Sequence, residues 1–320
     1  MPDRRRTQVA GRFIDASFTN DAGTRGYKLY VPTHYRGQPR PLIVMLHGCT
    51  QDPDDFAAGT RMNVLAESNS CFVVYPSQAE SANKSRCWNW FDEADQQRDK
   101  GEPSIIAGIT REVIEQYHID VERVFVAGMS AGGAMAVIMA ATYPELYAAV
   151  GSHSGMPYRA AQTLYTALAA MNRGASTVPP LQSAAIPIIV FQGDKDSRVN
   201  PRNSDQILSQ WMSSNSAPPA AAAISIETNK SNGRTYQRTI YPGAGGAAAE
   251  LWMVEGAGHA WSGGNALASH TDSLGPDASL EMMRFFLGGL DKPTPRRDRR
   301  LLRGLVERCL RVLRVKREPA

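Results

Sequence analysis

The chain has 320 residues, of which 42% are hydrophobic and 21% charged, a composition typical of globular proteins. No apolar run approaches the roughly 20 residues that a membrane-spanning helix needs, so no such helix is expected. The net charge of +4 is uneven, because residues 291–320 carry +7 and the rest of the chain carries −3. The basic balance therefore says little about the substrate of the main domain.

The first half of the chain alternates buried strands with helices. Continuous apolar runs are typical of strands that are covered on both faces of a parallel sheet. The predicted strands are 27–31, 42–46 and 71–75, and the predicted helices are 55–68 and 103–117. Residues 77–102 form a long polar connection, and such a loop in a compact domain is usually functional or disordered.

The second half continues the alternation. The predicted strands are 148–151, 186–191, 235–241 and 250–254, and the predicted helices are 203–212 and 276–287. Residues 154–185 are a partly helical candidate cap, and residues 213–223 are a Ser/Pro/Ala-rich loop or insertion. The class predicted is α/β with a mainly parallel central sheet and helices on both faces. We expect a disordered basic leader over 1–12, a catalytic domain over 13–290 and a tail over 291–320.

The segment around Ser130 is predicted to be a strand, a sharp turn and a helix. A run rich in β-branched residues ends at Gly128, and Gly132 and a long Ala/Met/Val/Ile run follow the serine. Gly-x-Ser-x-Gly in this context is the nucleophile elbow of an α/β hydrolase. The Gly-x-Ser-x-Gly pattern alone is weak evidence, because it is frequent enough to occur by chance in a chain of this length. The alternative is an ordinary glycine-rich turn between a strand and a helix.

A serine hydroxyl is a poor nucleophile unless a base lies in hydrogen-bond reach and an acid orients that base. In α/β hydrolases the three residues follow in the order Ser, acid, His. Among the six histidines only His259 and His270 follow a downstream acid, and His259 lies in a glycine-lined loop directly after a strand. We favour His259, since binding sites of open α/β sheets lie beyond the carboxyl ends of strands.

The acid is expected in the loop after strand 186–191, where Asp194 and Asp196 both qualify. We favour Asp196, which has the Gly-x-x-Asp-x-x-Val frame common in this fold, and the other aspartate is then a solvated or turn-capping residue. An oxyanion needs backbone N–H donors. The residue after the nucleophile, Ala131, supplies one, and the loop 47–50 after the early strand supplies the other, with Cys49 favoured.

Several segments together resemble the poly(3-hydroxybutyrate) depolymerase type esterases, which are related to feruloyl and acetylxylan esterases. The matching segments are Leu46–Cys49, Cys87–Phe91, Gly128–Gly133, His153–Gly155, Gly193 with Asp196 and Val199, and Gly258–Trp261. The resemblance covers about 13–290. It implies Ser130, Asp196 and His259 as a catalytic triad and Cys49 and Ala131 as oxyanion donors.

The resemblance also implies a disulfide between Cys49 and Cys87, a pairing that the spacing of the four cysteines leaves open. This chain departs from the family in having Ser262 where Pro is common. Trp88, Trp90 and Trp261 are predicted to contact the substrate, since an indole offers a flat apolar face. The alternative for Trp88 and Trp90 is a structural cluster that braces the site.

The predicted activity is hydrolysis of carboxylic esters, of the hydroxybutyrate, feruloyl or acetyl-sugar type, through an acyl-enzyme and without a metal or organic cofactor. An acyltransferase and a non-catalytic binding protein are the alternatives. The resemblance implies an extracellular or periplasmic protein, although no apolar segment follows the basic N-terminus, which leaves a cytoplasmic protein as the alternative. Residues 301–313 have the spacing of a basic amphipathic helix, suited to an anionic surface or partner or to a solvated terminus, and no nucleic-acid partner is expected.

Overall fold

The computed structural model describes residues 11–181, 186–214, 225–243 and 246–288. A ten-stranded sheet runs through the molecule in the order β1-β2-β4-β3-β5-β6-β7-β10-β9-β8. Its strands are β1 (Arg12–Asn20), β2 (Gly23–Val31), β3 (Arg40–Leu46), β4 (Phe72–Pro76), β5 (Ile119–Met129), β6 (Ala149–His153), β7 (Ile188–Gly193), β8 (Ser225–Ser231), β9 (Arg234–Gly243) and β10 (Gly246–Val254). The short strands β11 (Trp261–Ser262) and β12 (Thr271–Asp272) pair separately.

The centre of the sheet is parallel, as predicted. Strands β4, β3, β5, β6, β7 and β10 run in one direction, so their carboxyl ends share one edge. Antiparallel strands flank this centre, with β1 and β2 on one side and β9 and β8 on the other.

Helices cover both faces of the sheet. They are α1 (Pro53–Thr60), α2 (Met62–Asn69), α3 (Gly101–Gln116), α4 (Ala131–Thr142), α5 (Leu164–Arg173), α6 (Arg202–Ser214) and α7 (Ala278–Gly288). Alternate residues of β3 point to opposite faces, so that Leu42 and Val44 pack in a core with α3 and α4, while Ile43 and Met45 pack in a second core with α1, α2 and α7. Within the residues that the structure describes, no helix combines the length and the apolarity needed to cross a bilayer.

Three local predictions need correction. The first strand begins at Arg12, inside the predicted leader. It was missed because it lies at the sheet edge, where its side chains are exposed or half-buried and so show no strong apolar pattern. The helix predicted over 55–68 is two helices, because Arg61 adopts a left-handed conformation (φ 54°) and its N–H closes α1 on the Ala57 carbonyl. Strand β8 was also missed, since nearly all its residues are exposed.

Other predicted segments lie partly or wholly outside the described residues. These are residues 1–10 of the leader, most of the loop 213–223, and the basic tail 291–320 with Cys309.

Candidate active site

Ser130 is the single residue between β5 and α4, and its backbone adopts a conformation that is rare for residues other than glycine. Its φ is 56° and its ψ is −121°. Such a backbone costs on the order of 1–3 kcal/mol and persists only where the surroundings fix it. Two hydrogen bonds do so here: the Ser130 N–H donates to the His153 carbonyl, and the Ser130 carbonyl accepts from Ala134 N–H, both at 2.9 Å. The strained turn leaves the serine half-buried at the carboxyl edge of the sheet.

Two glycines make this turn fit against β3. A Cβ placed on Gly128 would lie 2.3 Å from the carbonyl oxygen of Gly132. A Cβ placed on Gly132 would lie 2.0 Å from the carbonyl oxygen of Leu46. Both distances are far inside van der Waals contact, so the positions require glycine. The spacing Gly-x-Ser-x-Gly thus follows from backbone crowding.

The structure brings His259 and Asp196 together. Nδ1 of His259 lies 2.8 Å from Oδ2 of Asp196, whose side chain is fully buried. The other carboxylate oxygen accepts the N–H groups of Arg198 at 2.9 Å and Val199 at 2.8 Å. Burial alone would raise the pKa of Asp196, but these hydrogen bonds and the nearby histidine outweigh it and hold the pKa below the ordinary value. The carboxylate therefore stays charged and fixes the orientation of the imidazole.

Asp194, the other candidate for the acid, stabilises the loop that carries His259. Its Oδ1 accepts the N–H of Gly256 at 2.6 Å, three residues before His259. The two loops also approach closely by their backbones, since a Cβ on Gly193 would lie 2.4 Å from the carbonyl oxygen of Ala257. Asp194 caps the turn that carries the histidine, and it is Asp196 that faces the imidazole.

The loop after β3 and the first residue of α4 each present one backbone donor beside Ser130. Gln51 holds the loop closed, since its side-chain oxygen accepts the Gly48 N–H at 3.0 Å. Within the described part of the chain, the N–H groups of Cys49 and Ala131 donate to no other residue. Unpaired N–H groups beside a strained serine are what an oxyanion site requires.

His47 is a structural histidine. Its Nε2 accepts the N–H of Gln78 at 3.1 Å, so the proton lies on Nδ1, which donates to the Gly48 carbonyl at 2.8 Å. Burial lowers its pKa to about 4. The neutral imidazole of His47, with both ring nitrogens in hydrogen bonds, stabilises the loop and has no role as a base.

The disulfide between Cys49 and Cys87 is confirmed, with the two Cα atoms 4.2 Å apart. It joins the loop after β3 to the connection 77–102. Trp88 strengthens the same junction, because its Nε1 donates to the His47 carbonyl at 3.1 Å. Trp88 has no exposed surface, so the prediction that it contacts substrate is not supported, and the alternative of a bracing residue fits.

Trp261 is also interior. It is 1% exposed, its Nε1 donates to Ser279 Oγ at 3.1 Å, and its ring packs on His153 with centroids 5.1 Å apart. With its polar atom paired and its ring stacked on His153, Trp261 packs as an interior residue, and its contact with substrate stays a prediction. Trp90 is 6% exposed, and its contact with substrate stays a prediction.

Two buried carboxylates, Asp95 and Glu102, hold the connection 77–102 in place through hydrogen bonds to its backbone. Oδ1 of Asp95 accepts the N–H of Glu102 at 2.6 Å, and Oε2 of Glu102 accepts the N–H of Asn89 at 2.7 Å. Arg25 lies 3.6 Å from Glu102, and the side chain of Gln78 donates to it. Burial raises the pKa of Asp95 to about 6 and that of Glu102 to about 7.

Sequence reasoning missed the glutamines that support the site. Gln192 Nε2 donates to Asp196 Oδ2 at 3.1 Å, and Gln78 and Gln51 hold the loop after β3. All three side chains are buried. For Gln192 there was a usable pattern, since it is the polar residue next to the end of an otherwise apolar buried strand.

The parallel sheet, the strained serine between β5 and α4, and the Asp–His pair beyond β7 and β10 define an α/β hydrolase. Residues 25–232 match the family model described as "Esterase PHB depolymerase", and the chain belongs to that family. The matched residues include Ser130 and Asp196 but end before His259, so the choice of His259 as the catalytic histidine depends on the geometry of the site.

Known proteins agree with this placement. The chain is 31% identical over 207 residues to poly(3-hydroxyalkanoate) depolymerase C of Paucimonas lemoignei, covering 60% of this chain and 49% of that protein. It is 30% identical over 211 residues to feruloyl esterase B of Neurospora crassa, covering 60% and 70%. The chain thus spans about half of the depolymerase. An acetyl xylan esterase from Aspergillus awamori shares the fold, with a TM-score of 0.66 and 23% identity over 83% of this chain and 94% of that one.

Proposed function

We propose that this protein is a serine esterase that hydrolyses carboxylic esters through an acyl-enzyme. The observation that carries the proposal is the 2.8 Å contact of His259 Nδ1 with buried Asp196, at the sheet edge where Ser130 sits in its strained turn. Family membership supports it, since the two relatives above are named as a poly(3-hydroxyalkanoate) depolymerase and a feruloyl esterase.

The reaction proceeds in two halves. Nε2 of His259 takes the Ser130 hydroxyl proton as the oxygen attacks the ester carbonyl, and the Cys49 and Ala131 N–H groups bind the oxyanion. The alcohol leaves with the proton from His259. Water, deprotonated by the same nitrogen, then attacks the acyl-enzyme. The ester bond to Ser130 breaks, the acid is released, and His259 returns the proton to the serine oxygen. Asp196 holds the imidazole in the tautomer that both halves need.

A serine variant tests this function directly. Ser130→Ala should abolish hydrolysis of a short-chain p-nitrophenyl ester, while Ser68→Ala, on the exposed face of α2, should leave the rate unchanged. A fluorophosphonate should add its mass to the peptide that contains Ser130 and to no other. If Ser130→Ala turned over the ester as fast as the parent, the proposal would be wrong.

We expect the substrate to belong to one of the ester classes after which these relatives are named. Hydroxybutyrate oligomers, a feruloyl ester and acetylated xylan are the panel to compare, by kcat/KM with the same enzyme stock. A preference of tenfold or more for one class identifies the acyl or alcohol group that the site fits.

The protein is proposed to work in an oxidising compartment, extracellular or periplasmic. The Cys49–Cys87 disulfide at the oxyanion loop supports this, because such bonds persist mainly outside the cytosol. Thiol titration of denatured protein from the native host should find both cysteines blocked, and protein with both thiols free in active form would contradict the location.

A further inference from the structure

We propose that His153 is a positioning residue that ties the loop carrying His259 to the turn carrying Ser130, through a hydrogen bond from the Ser262 backbone. The inference rests on the proposed function, in which Ser130 and His259 must be held in register. It assigns a role to a histidine that takes no part in the chemistry of the acyl-enzyme.

His153 contacts both halves of the site. It ends β6, and its carbonyl accepts the Ser130 N–H at 2.9 Å, one of the two bonds that fix the strained turn. Its ring nitrogen Nε2 accepts the N–H of Ser262 at 3.0 Å, three residues beyond His259. One residue therefore joins the backbone of the nucleophile to the backbone of the histidine loop.

The ring of His153 is fixed in this role. Because a backbone N–H can only donate, Nε2 must be unprotonated, which places the ring proton on Nδ1, 3.1 Å from the Ser154 hydroxyl. The ring is 2% exposed and stacks between Phe191, with centroids 5.8 Å apart, and Trp261, with centroids 5.1 Å apart. A stacked ring with both nitrogens engaged cannot rotate without breaking all of these contacts.

The bond from Ser262 is directed to His153 by the geometry of β11. The neighbouring N–H groups point the other way, since Trp261 N–H donates to the His270 carbonyl and Gly263 N–H to the Asp272 carbonyl, both at 2.7 Å. Pro at position 262, the residue common in the family, would keep those two bonds but remove the donor that faces His153. It would also remove the Ser262 hydroxyl, which donates to the Pro276 carbonyl at 2.7 Å and which Ser262→Ala removes as well. The bond to His153 is therefore a feature of this chain that relatives with Pro at this position lack. The other end of the histidine loop is held by the acid loop, so the Ser262 bond is its second fixed point.

Two variants remove the same bond from opposite sides. His153→Leu removes the acceptor and Ser262→Pro removes the donor, while Ser262→Ala is the matched control that keeps the N–H. Because a displacement of about 1 Å at a reacting group costs about a hundredfold, we expect each of the first two to lower kcat by ten- to a hundredfold with KM for a small ester unchanged. The rates are taken per active site titrated with a fluorophosphonate, so that a fall in folded fraction does not count.

The double variant and a spectroscopic measurement complete the test. His153→Leu/Ser262→Pro should lose no more than the worse single variant, because both changes break one bond. The far-downfield proton resonance of the His259–Asp196 hydrogen bond should shift or broaden in both single variants and not in Ser262→Ala. Parent-like kcat and an unmoved resonance in Ser262→Pro would overturn the proposal, as would additive losses. If the parent shows no Ser130-dependent hydrolysis, the esterase proposal fails, and the resonance still decides whether the tie positions His259.

Discussion

Replacing Asp196 by Asn should put the proton of His259 on the wrong nitrogen. In the parent, the N–H groups of Arg198 and Val199 both point at Oδ1 of Asp196, at 2.9 and 2.8 Å. The amide oxygen of Asn must take that position, so the amide NH₂ faces His259 Nδ1. That nitrogen must then become an acceptor, which leaves the ring proton on Nε2, where it blocks proton transfer from Ser130.

The expected loss follows from the chemistry of the tautomer. The same substitution in a serine protease triad lowers kcat about 10⁴-fold, which corresponds to about 5 kcal/mol of barrier. Solvent cannot relieve the mismatch, since the Asp196 side chain has no exposed surface. The assay is kcat for a short-chain p-nitrophenyl ester, with circular dichroism and a thermal melt to show that the variant is folded.

Asp194→Asn is the matched control. Oδ1 of Asp194 accepts the Gly256 N–H, and an Asn oxygen can accept the same bond, so kcat should fall by no more than about threefold. Equal losses at the two positions would refute the reasoning. So would a folded Asp196→Asn protein within tenfold of the parent.

Three further predictions concern the frame of the site. Removing the bridge by placing Ala at Cys49 and Cys87, 38 residues apart, should lower the free energy of unfolding by about 4 kcal/mol on a chain-entropy basis and lower kcat, as measured by denaturation and kinetics. Gly132→Ala should abolish soluble expression, because its Cβ would lie 2.0 Å from a β3 carbonyl oxygen. Asp95→Asn should flatten the fall in the free energy of unfolding between about pH 4 and 7. Because burial raises the pKa of Asp95 to about 6 and of Glu102 to about 7, the native state binds more protons there than the unfolded chain, and stability falls as pH rises.

Each of these has a control and a contrary outcome. Cys71→Ala, at a buried cysteine outside the bridge, should leave kcat unchanged, and a bridgeless protein as stable as the parent would contradict the first. Gly288→Ala, whose Cβ meets nothing within 4 Å, should express normally, and soluble active Gly132→Ala would contradict the second. Exposed Glu93→Gln should keep the parent's pH dependence, and an unaltered slope in Asp95→Asn would contradict the third.

The sequence identified the elements whose patterns are set by burial. The strands that carry the site were predicted because they are covered on both faces and contain continuous apolar runs. Strands β1 and β8 lie at the sheet edges, where little burial constrains the pattern, so they were missed. The break at Arg61 depends on one left-handed residue that has no sequence signature.

The positions of the candidate site residues followed from chain order and loop context, but their surroundings did not. The Gly-x-x-Asp-x-x-Val frame favoured Asp196 over Asp194, but the different contacts of the two aspartates, which follow the same strand, appeared only in the structure. The tryptophans were interpreted as a surface for substrate because side-chain chemistry suggests it, whereas Trp88 and Trp261 are interior. Whether a flat ring faces a ligand or the core depends on long-range packing, which a local pattern does not encode.

The adjacency of β7 and β10 has a consequence for how this protein can change. Gly193 and Val254, the last residues of the two strands, are paired in register, so the loops of Asp196 and His259 begin side by side. Between them the chain leaves the sheet centre to form α6, β8 and β9 and then returns. The acid and the histidine are thus neighbours in space although 63 positions separate them. Since β9 pairs with β10 and supports the histidine loop, it is insertions between α6 and β8 that leave the pairing of β7 with β10 in place, and that segment is the natural place for an engineer to insert a binding module.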